Sequence, residues 1–464
     1  MPAVAGEVRP GGTRSAAAAA DAVDRADPLR TAGYVLMLIA VPLVTCNALR
    51  AGENVTYGDI PLALAAVCLL GSWLVQGIPR GVVPAGLPLA ALLLLAAGAL
   101  AIVPADNLDS LLPTLRFGVT LGVMPLIIML AASTPRRLRA IVDVWLLAAA
   151  LNSVVAGLDL LGVTSIGLSL TSIDFVTFTD RAPGLTTHPN HLGLVAAMAL
   201  PVAISRFGTG GGRSLAACGL VPLLIAGVLV SGSRGAFIAA GAGVLVLFAF
   251  GAATRRVRTT LLLFGVPVVA FVVIVVLLGN NELSGSVTIE RLGGGGGATV
   301  SDDERLFTLR ESLDEVVDHP IVGAGFEEVR TAHNIYVQLL QAGGLLALAG
   351  FIAFAAAIIR RARRLALASS GSPGWLMSLA AGCGASVGVW LMFGMVGNAI
   401  YDRYLYLPVG ITLAIALVHK RWIAPSGSPQ PGTAAAIPPP PAALRPGRGA
   451  DAPPRHRDTR VLTP

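Results

Sequence analysis

Long apolar segments separated by short polar stretches run through most of the chain. Each segment approaches the roughly 20 residues that an α-helix needs to cross the hydrocarbon core of a bilayer. Because backbone groups in lipid must be paired internally, the pattern predicts helices rather than strands. The predicted spans are 32–49, 60–77, 84–103, 114–132, 138–160, 190–205, 214–231, 234–251, 259–279, 333–359, 375–397 and 403–419. We therefore predict an all-α polytopic membrane protein with about 12 transmembrane helices.

The composition supports a membrane protein over a soluble one. Hydrophobic residues make up 55% of the 464 residues and charged residues only 13%, whereas a soluble domain carries roughly 25% charged residues. The net charge of +7 comes from arginines that fall between the apolar segments. Such a distribution indicates membrane topology and gives no reason to expect a nucleic-acid partner.

The basic residues predict an orientation. If the N-terminus is cytoplasmic and the spans alternate, most of the 33 lysines and arginines fall on the cytoplasmic side, as the positive-inside rule requires. Both termini are then cytoplasmic, in the inner membrane. Residues 1–30 and the Pro- and Arg-rich residues 421–464 are predicted to be disordered tails. Spans 1–9 occupy 31–279, and spans 10–12 occupy 333–420.

The extracytoplasmic loop 280–332 is predicted to contain a short amphipathic helix. Ser301 and Glu304 have the spacing of a capping box, which places the helix at about 302–318. Its apolar residues recur at helical spacing and are Leu306, Leu309, Leu313, Val316 and Val317. This apolar face could cover either the mouth of the bundle or the lipid interface.

Arg234 is a candidate anion ligand on the extracytoplasmic side. It follows the small residues of Ser231-Gly232-Ser233 and begins the next apolar segment. A guanidinium and the free N–H groups of a helix start could together bind an anion there. An arginine that snorkels to the interface is an equally good interpretation of this position.

Three further positions on that side could carry chemistry. Arg305 and Arg310 are five residues apart on the predicted loop helix, so only one can face the bundle, and a solvated face suits Arg310 better. His333 opens a transmembrane helix, where the helix dipole favours the neutral imidazole that a general base requires. A lone histidine is nevertheless more often structural.

The stretch His188-Pro189-Asn190-His191 raises the question of a metal site. Two histidines three residues apart could bind zinc, but no cysteine or acid lies at a matching spacing. A loop that leads into the next helix is the preferred interpretation, and no metal or cofactor is predicted. The chain also lacks the P-loop motif, which argues against an ATP-driven pump.

These motifs together resemble the bacterial O-antigen ligase and O-antigen polymerase superfamily of polysaccharide membrane enzymes. The resemblance covers about 175–400. It is carried by Ser231-Gly232-Ser233-Arg234-Gly235-Ala236, by Arg305 with His319-Pro320-Ile321-Val322-Gly323-Ala324-Gly325, by Ala332-His333-Asn334-Ile335-Tyr336, and by Arg181-Ala182-Pro183-Gly184 through Asn190.

The resemblance implies a metal-independent, inverting glycosyltransferase of the extracytoplasmic face. Such an enzyme moves a glycan from undecaprenyl diphosphate to a hydroxyl of a saccharide or lipid acceptor. By this resemblance, Arg234 and Arg305 bind the donor diphosphate, and His333 activates the acceptor. The residues expected to support the site are Asn334, Arg181, Arg116, Arg403 and Asn190.

Three functions remain open at this point. A ligase transfers a finished glycan, a polymerase extends a glycan on its lipid carrier, and both share the same residues. A twelve-helix secondary transporter also fits the span count. Transporters place charged residues near the bilayer midplane and have two similar halves, whereas the candidate residues here lie at the outer face. The enzyme interpretation is therefore preferred.

Overall fold

The chain forms an α-helical membrane protein. A computed structural model describes residues 27–52, 55–76, 81–84, 86–105, 111–170, 181–207, 212–250, 298–326, 332–368 and 373–423. The helices are α1 (Pro28–Thr45), α2 (Asp59–Gln76), α3 (Gly86–Ala105), α4 (Leu111–Ala131), α5 (Pro135–Leu160), α6 (Ile166–Leu170), α7 (Pro189–Phe207), α8 (Gly212–Val230), α9 (Arg234–Ala249), α10 (Ala298–Asp318), α11 (Ile335–Ala366), α12 (Gly374–Phe393) and α13 (Leu407–Ile423), with a 3-10 turn at Arg403–Tyr406.

Most of the predicted spans coincide with helices. Each predicted span except 259–279, which lies outside the described residues, overlaps one of the described helices. By length and composition, six of these helices could cross a membrane, and three shorter ones are also apolar. The count of twelve spans stays a prediction. Helix α1 begins at Pro28 and α13 ends at Ile423, so the helices extend slightly into both predicted tails.

A small β-hairpin departs from the all-α prediction. Strands β1 (Arg50–Gly52) and β2 (Val55–Thr56) pair antiparallel after α1. Strands of two and three residues are too short to show the alternation of apolar and polar residues by which a strand is recognised in a sequence.

The core is rich in aromatic side chains where α11, α12 and α13 meet. The Trp390 ring lies 5.4 Å from the Phe351 ring and 5.2 Å from the Tyr406 ring, both edge to face. All three side chains are fully buried. Such contacts add specific geometry to the burial of large apolar surfaces, so they fix how the three helices pack.

At one end of the bundle, two arginines of α5 contact aromatic side chains from segments far apart in the sequence. Arg137 stacks on Tyr34 at 4.9 Å, and Arg139 stacks on Trp375 at 4.0 Å. These contacts join the N-terminal parts of α1, α5 and α12. Alternating spans would place these three helix starts on the same side, so the contacts agree with the alternation that the sequence predicts.

The opposite end is joined by polar contacts between loops. Asn47, just after α1, donates a hydrogen bond to Asp402 and accepts one from the backbone N–H of Thr187. The backbone N–H of Ile335 donates to the carbonyl of Gly394. This end contains the loops before α7, α11 and α13.

Helix α11 is broken in its first half. Gly343 and Gly344 have non-helical backbone angles, and Gly344 has a φ of 61° and a ψ of −158°, which only glycine adopts readily. The segment 320–325 satisfies the backbone groups that the break frees. Its hydrogen bonds with α11 are Ala324 N to Gln341 O (2.8 Å), Gly325 N to Ala342 O (3.1 Å) and Leu345 N to Pro320 O (3.0 Å).

Helix α10 starts earlier than the sequence predicts. It begins at Ala298, so Ser301 lies within the first turn and does not cap the helix. Several of its apolar side chains, among them Leu306, Leu313 and Val317, are exposed, whereas Ser312 is fully buried. The described part of the bundle therefore does not cover the apolar face, and coverage by lipid stays a prediction.

Candidate functional site

The loop before α7 is tied to the hairpin before α9 by one arginine. The Nε of Arg181 donates to the backbone carbonyl of Ser231 at 2.8 Å, and its Nη2 donates to Oδ1 of Asn190 at 2.6 Å. Arg181 is buried, with 8% of its surface exposed. The fork of the guanidinium suits two acceptors in different directions. Arg181 and Asn190, both expected as supporting residues, therefore contact each other.

The hairpin that Arg181 contacts has the local structure that the sequence indicates. Ser233 caps α9, since its Oγ accepts a hydrogen bond from the N–H of Ala236 at 3.3 Å. Arg234 is the first residue of that helix and is half-buried. Gly232 has a φ of +60°, and a Cβ there would lie 2.9 Å from Cγ of Arg181. Glycine is thus required by both conformation and space.

His188 lies at the start of α7 in a defined orientation. Its Nδ1 accepts a hydrogen bond of 3.0 Å from the backbone N–H of Asn190. An accepting Nδ1 carries no proton, so the neutral ring holds its proton on Nε2. Burial, together with the charges of His191, Arg181 and Arg305, lowers the pKa of His188 to about 3. His188 is therefore a neutral imidazole at physiological pH.

The loop helix brings Arg305 close to His333. Nε2 of Gln341 on α11 donates to the carboxylate of Glu315 on α10. Arg305 precedes Glu315 by ten residues and His333 precedes Gln341 by eight. At a rise of 1.5 Å per residue, Arg305 lies about 15 Å before Glu315 along α10, and the first residue of α11, Ile335, lies about 9 Å before Gln341. The charge of Arg305 acts on both His333 and His188.

His333 itself has an unusual backbone. Its φ is 49°, the only positive φ among the described non-glycine residues. It directly precedes Asn334, whose Oδ1 caps α11 by accepting the N–H groups of Tyr336 (3.0 Å) and Val337 (3.2 Å). Backbone conformations of this kind cost free energy and cluster at functional sites. Asn334 thus positions the start of the helix, and its supporting role in the site stays a prediction.

The environment of His333 favours its neutral form. Burial lowers the pKa of His333, the positive charge of Arg305 lowers it further, and Glu304 opposes the shift. The imidazole is half-buried. A neutral imidazole can accept a proton, which is the property that the sequence reasoning required.

Arg403 and Arg116 belong to a second, neighbouring group. Arg403 forms a two-pronged ion pair with Asp59, with Nε–Oδ1 at 2.8 Å and Nη2–Oδ2 at 2.9 Å. Arg116 of α4 lies within electrostatic range of this pair and of Asp402. Arg403 thus pairs with a residue 344 positions away in the sequence.

His191 links the two groups. Its Nδ1 lies 3.8 Å from the carboxylate of Asp402 and 3.2 Å from the hydroxyl of Thr187. Its ring centre is 6.1 Å from that of His188. Nδ1 of both histidines is thus engaged by other groups. In the described residues, no three His, Cys, Asp or Glu side chains are grouped as a metal site would require.

The structure therefore gathers Arg181, His188, Arg305 and His333 at one end of the bundle. Arg234 lies in the hairpin that Arg181 contacts. Sequence reasoning considered His188 only as a metal ligand and missed it as a neutral neighbour of His333. The proximity of His188 to Arg305 depends on the tertiary structure, and no local motif reports that.

A comparison with known protein families matches a central segment of the chain. Residues 219–352 match the family described as O-antigen ligase. The resemblance to the O-antigen ligase and polymerase superfamily is thereby confirmed. The matched segment contains Arg234, Arg305, His333 and Asn334, whereas Arg181 and His188 precede it. No curated protein matches the chain.

Proposed function

We propose that this protein is an O-antigen ligase-type glycosyltransferase. It would move a glycan from undecaprenyl diphosphate to a sugar hydroxyl on the extracytoplasmic face of the inner membrane. The observation that carries the proposal is the grouping of Arg305 and His333 with Arg181 and His188, together with the family match over 219–352. That match gives no support to the alternative function, a secondary transporter.

The donor diphosphate would bind to arginines. Arg234 at the start of α9 and Arg305 on α10 are the proposed ligands, and the N-terminal end of α9 adds partial positive charge. When the glycosidic bond breaks, its electron pair leaves with the diphosphate. Guanidinium groups already in place stabilise this developing charge. Arg181 is held by Ser231 and Asn190, so its proposed part is to position the hairpin that carries Arg234.

The acceptor would be activated by His333. Its neutral imidazole takes the proton of the acceptor hydroxyl as the oxygen bonds to the anomeric carbon of the donor sugar. The bond between that carbon and the diphosphate oxygen breaks on the opposite face, so the configuration is inverted. Undecaprenyl diphosphate is the leaving group, and the proton remains on His333 until solvent takes it.

The proposal is tested by complementation of a deletion strain. The variants are His333→Ala, Arg234→Ala and Arg305→Ala, at equal levels in the membrane. Arg310→Ala is the matched control, because Arg310 lies on the same helix as Arg305 but is exposed. We expect the three variants to lose surface glycan and accumulate lipid-linked glycan, and the control to complement.

The length of the accumulated lipid-linked glycan distinguishes a ligase from a polymerase. Long lipid-linked chains indicate a ligase, and single repeat units indicate a polymerase. Full complementation by His333→Ala, Arg234→Ala and Arg305→Ala would show that the proposed site is wrong.

A further inference from the structure

The last two turns of α11 carry four arginines, at the end of the bundle opposite His333. Arg360, Arg363 and Arg364 are exposed, and Arg361 is half-buried. Arg360 and Arg364 are four residues apart, so their like charges lie on neighbouring turns of one face and repel each other. The end of α11 therefore concentrates positive charge at a surface.

The end of α13 adds a further cation beside the same arginines. Nη2 of Arg361 donates to the backbone carbonyl of Gly81 at 3.2 Å, and a Cβ added at Gly81 would lie 4.0 Å from Nζ of Lys420. Arg361 and Lys420 thus approach the same short loop before α3. The ends of α11 and α13 form one cationic surface, which consists of Arg360, Arg361, Arg363, Arg364 and Lys420.

The described carboxylates do not pair with the arginines of α11. Within the described ranges, the carboxylates that form ion pairs have partners elsewhere, namely Arg403 for Asp59, Arg206 for Asp143 and His191 for Asp402. A group of like charges without a carboxylate attracts an anion from outside the chain.

An apolar stripe on α11 leads along the helix to the cationic surface. Leu345 and Ile352 are 55% and 53% exposed, and Ile359 continues the stripe, half-buried. Arg363 follows Leu345 by 18 residues, which is about five full turns and a rise of about 27 Å. Arg363 therefore lies on the same face as Leu345. Because the hydrocarbon core of a bilayer is roughly 30 Å thick, this places the guanidinium at the level of the lipid head groups.

Two tryptophans support this level. Trp375 lies in the first turn of α12, directly after the loop that follows α11, and Trp422 lies two residues after Lys420. Both rings are half-buried. Tryptophan is enriched where a membrane protein passes from the hydrocarbon core into the head-group region.

We propose that the cationic surface binds the phosphate of an anionic phospholipid, in the leaflet that the sequence predicts to be cytoplasmic. The apolar stripe contacts the acyl chains, and Arg360 and Arg363, on adjacent turns, donate hydrogen bonds to the phosphate. Guanidinium groups match the geometry of phosphate oxygens, and basic clusters next to a transmembrane helix attract anionic lipids. A soluble phosphate would meet the charges alone, whereas a lipid uses both the charges and the stripe.

The test measures lipid binding by the full chain purified in detergent. Phosphatidylglycerol is the anionic probe and phosphatidylcholine its zwitterionic counterpart. Mass spectrometry under non-denaturing conditions counts the bound lipids as the lipid concentration rises. We expect the wild type to prefer phosphatidylglycerol. One basic residue near the head groups contributes about fivefold in affinity, so Arg360→Gln/Arg363→Gln should bind phosphatidylglycerol roughly 25-fold more weakly.

Two further double variants separate this surface from charge in general. Arg136→Gln/Arg310→Gln removes two exposed arginine charges from α5 and α10, and it should bind phosphatidylglycerol as the wild type does. Arg360→Lys/Arg363→Lys keeps both charges and should retain most of the preference. Thermal midpoints in lipid-free detergent check that each variant is folded. If the glutamine double variant is not recovered, Arg363→Gln alone should bind about fivefold more weakly.

Three results would overturn the inference. The first is equal binding of the two lipids by the wild type. The second is an equal loss of binding in Arg136→Gln/Arg310→Gln, which would assign the preference to net charge. The third is displacement of phosphatidylglycerol by inorganic phosphate at the same concentration, which would indicate a soluble ligand. The inference is independent of the proposed transfer reaction, because His333 lies at the opposite end of the bundle.

Discussion

Arg181 and Ser231 are 50 residues apart in the sequence, and Nε of Arg181 donates a 2.8 Å hydrogen bond to the backbone carbonyl of Ser231. This bond fixes the hairpin that ends in Arg234 against the loop before α7. Because the same guanidinium also reaches Asn190, two segments of the candidate site depend on a single side chain.

Arg181→Lys should therefore destabilise the protein and slow transfer. Lysine keeps the charge, but its single ammonium cannot reproduce the fork that reaches both Ser231 and Asn190. Hydrogen bonds that involve a charged group contribute about 1.5–3 kcal/mol, so we expect a loss of stability of that size. Thermal unfolding in detergent and transfer in membranes are the measurements. Arg310→Lys, an exposed site, is the control, and equal behaviour of the two variants would contradict the expectation.

The transfer rate should fall at acidic pH with a midpoint below 6.5. The pKa of His333 is lowered by burial and by the charge of Arg305. A general base works in its neutral form, so activity is present above this lowered pKa and is lost as the pH falls through it. The measurement is the pH profile of transfer at saturating donor.

The variant Arg305→Gln tests whether the charge of Arg305 lowers the pKa of His333. Removing the positive charge raises the pKa of His333, so the acidic limb should move to higher pH, in addition to any loss of rate. Arg310→Gln should leave the limb in place. A limb that stays unchanged in Arg305→Gln would argue that another group controls it.

Gly344→Ala should destabilise the protein, because it disrupts the break in α11. With a φ of +61°, an added Cβ would overlap the backbone carbonyl of Ile321, and the substitution also forces a conformation that alanine avoids. We expect a loss of about 3 kcal/mol or more. Gly157→Ala is the control, because nothing lies within 4 Å of its added Cβ. Thermal midpoints in detergent that are equal for the two variants would contradict this account.

Arg403→Gln should lower stability because it leaves the Asp59 carboxylate without its two-pronged partner. Both side chains are mostly buried, at 15% and 20% exposed, and we expect a cost of about 2 kcal/mol. Asp143→Asn breaks the Arg206–Asp143 pair, in which Asp143 is 39% exposed. That change should cost less than about 1 kcal/mol. Thermal unfolding of the two variants compares the pairs, and the reverse order would be inconsistent with a structural role for Arg403.

The sequence by itself determined the helices and much of the local structure. Apolar segments long enough to cross a bilayer predict helices because lipid offers the backbone no other hydrogen-bond partners. The start of α9 at Arg234 could be predicted for a similar reason, since a cap such as Ser233 acts only on the turn that follows it. The first residue of α10 was predicted less well, because helix ends depend on packing as well as on caps.

Only the tertiary structure decided which side chains meet. Arg403 pairs with Asp59, 344 residues away in the sequence. His188 shares its surroundings with Arg305 and His333 because the starts of α7 and α11 and the first half of α10 lie close together. Hydrophobic periodicity reports which face of a helix is apolar, but not which helix packs against it. Contacts between distant segments depend on that choice, so they follow from the packing of the bundle.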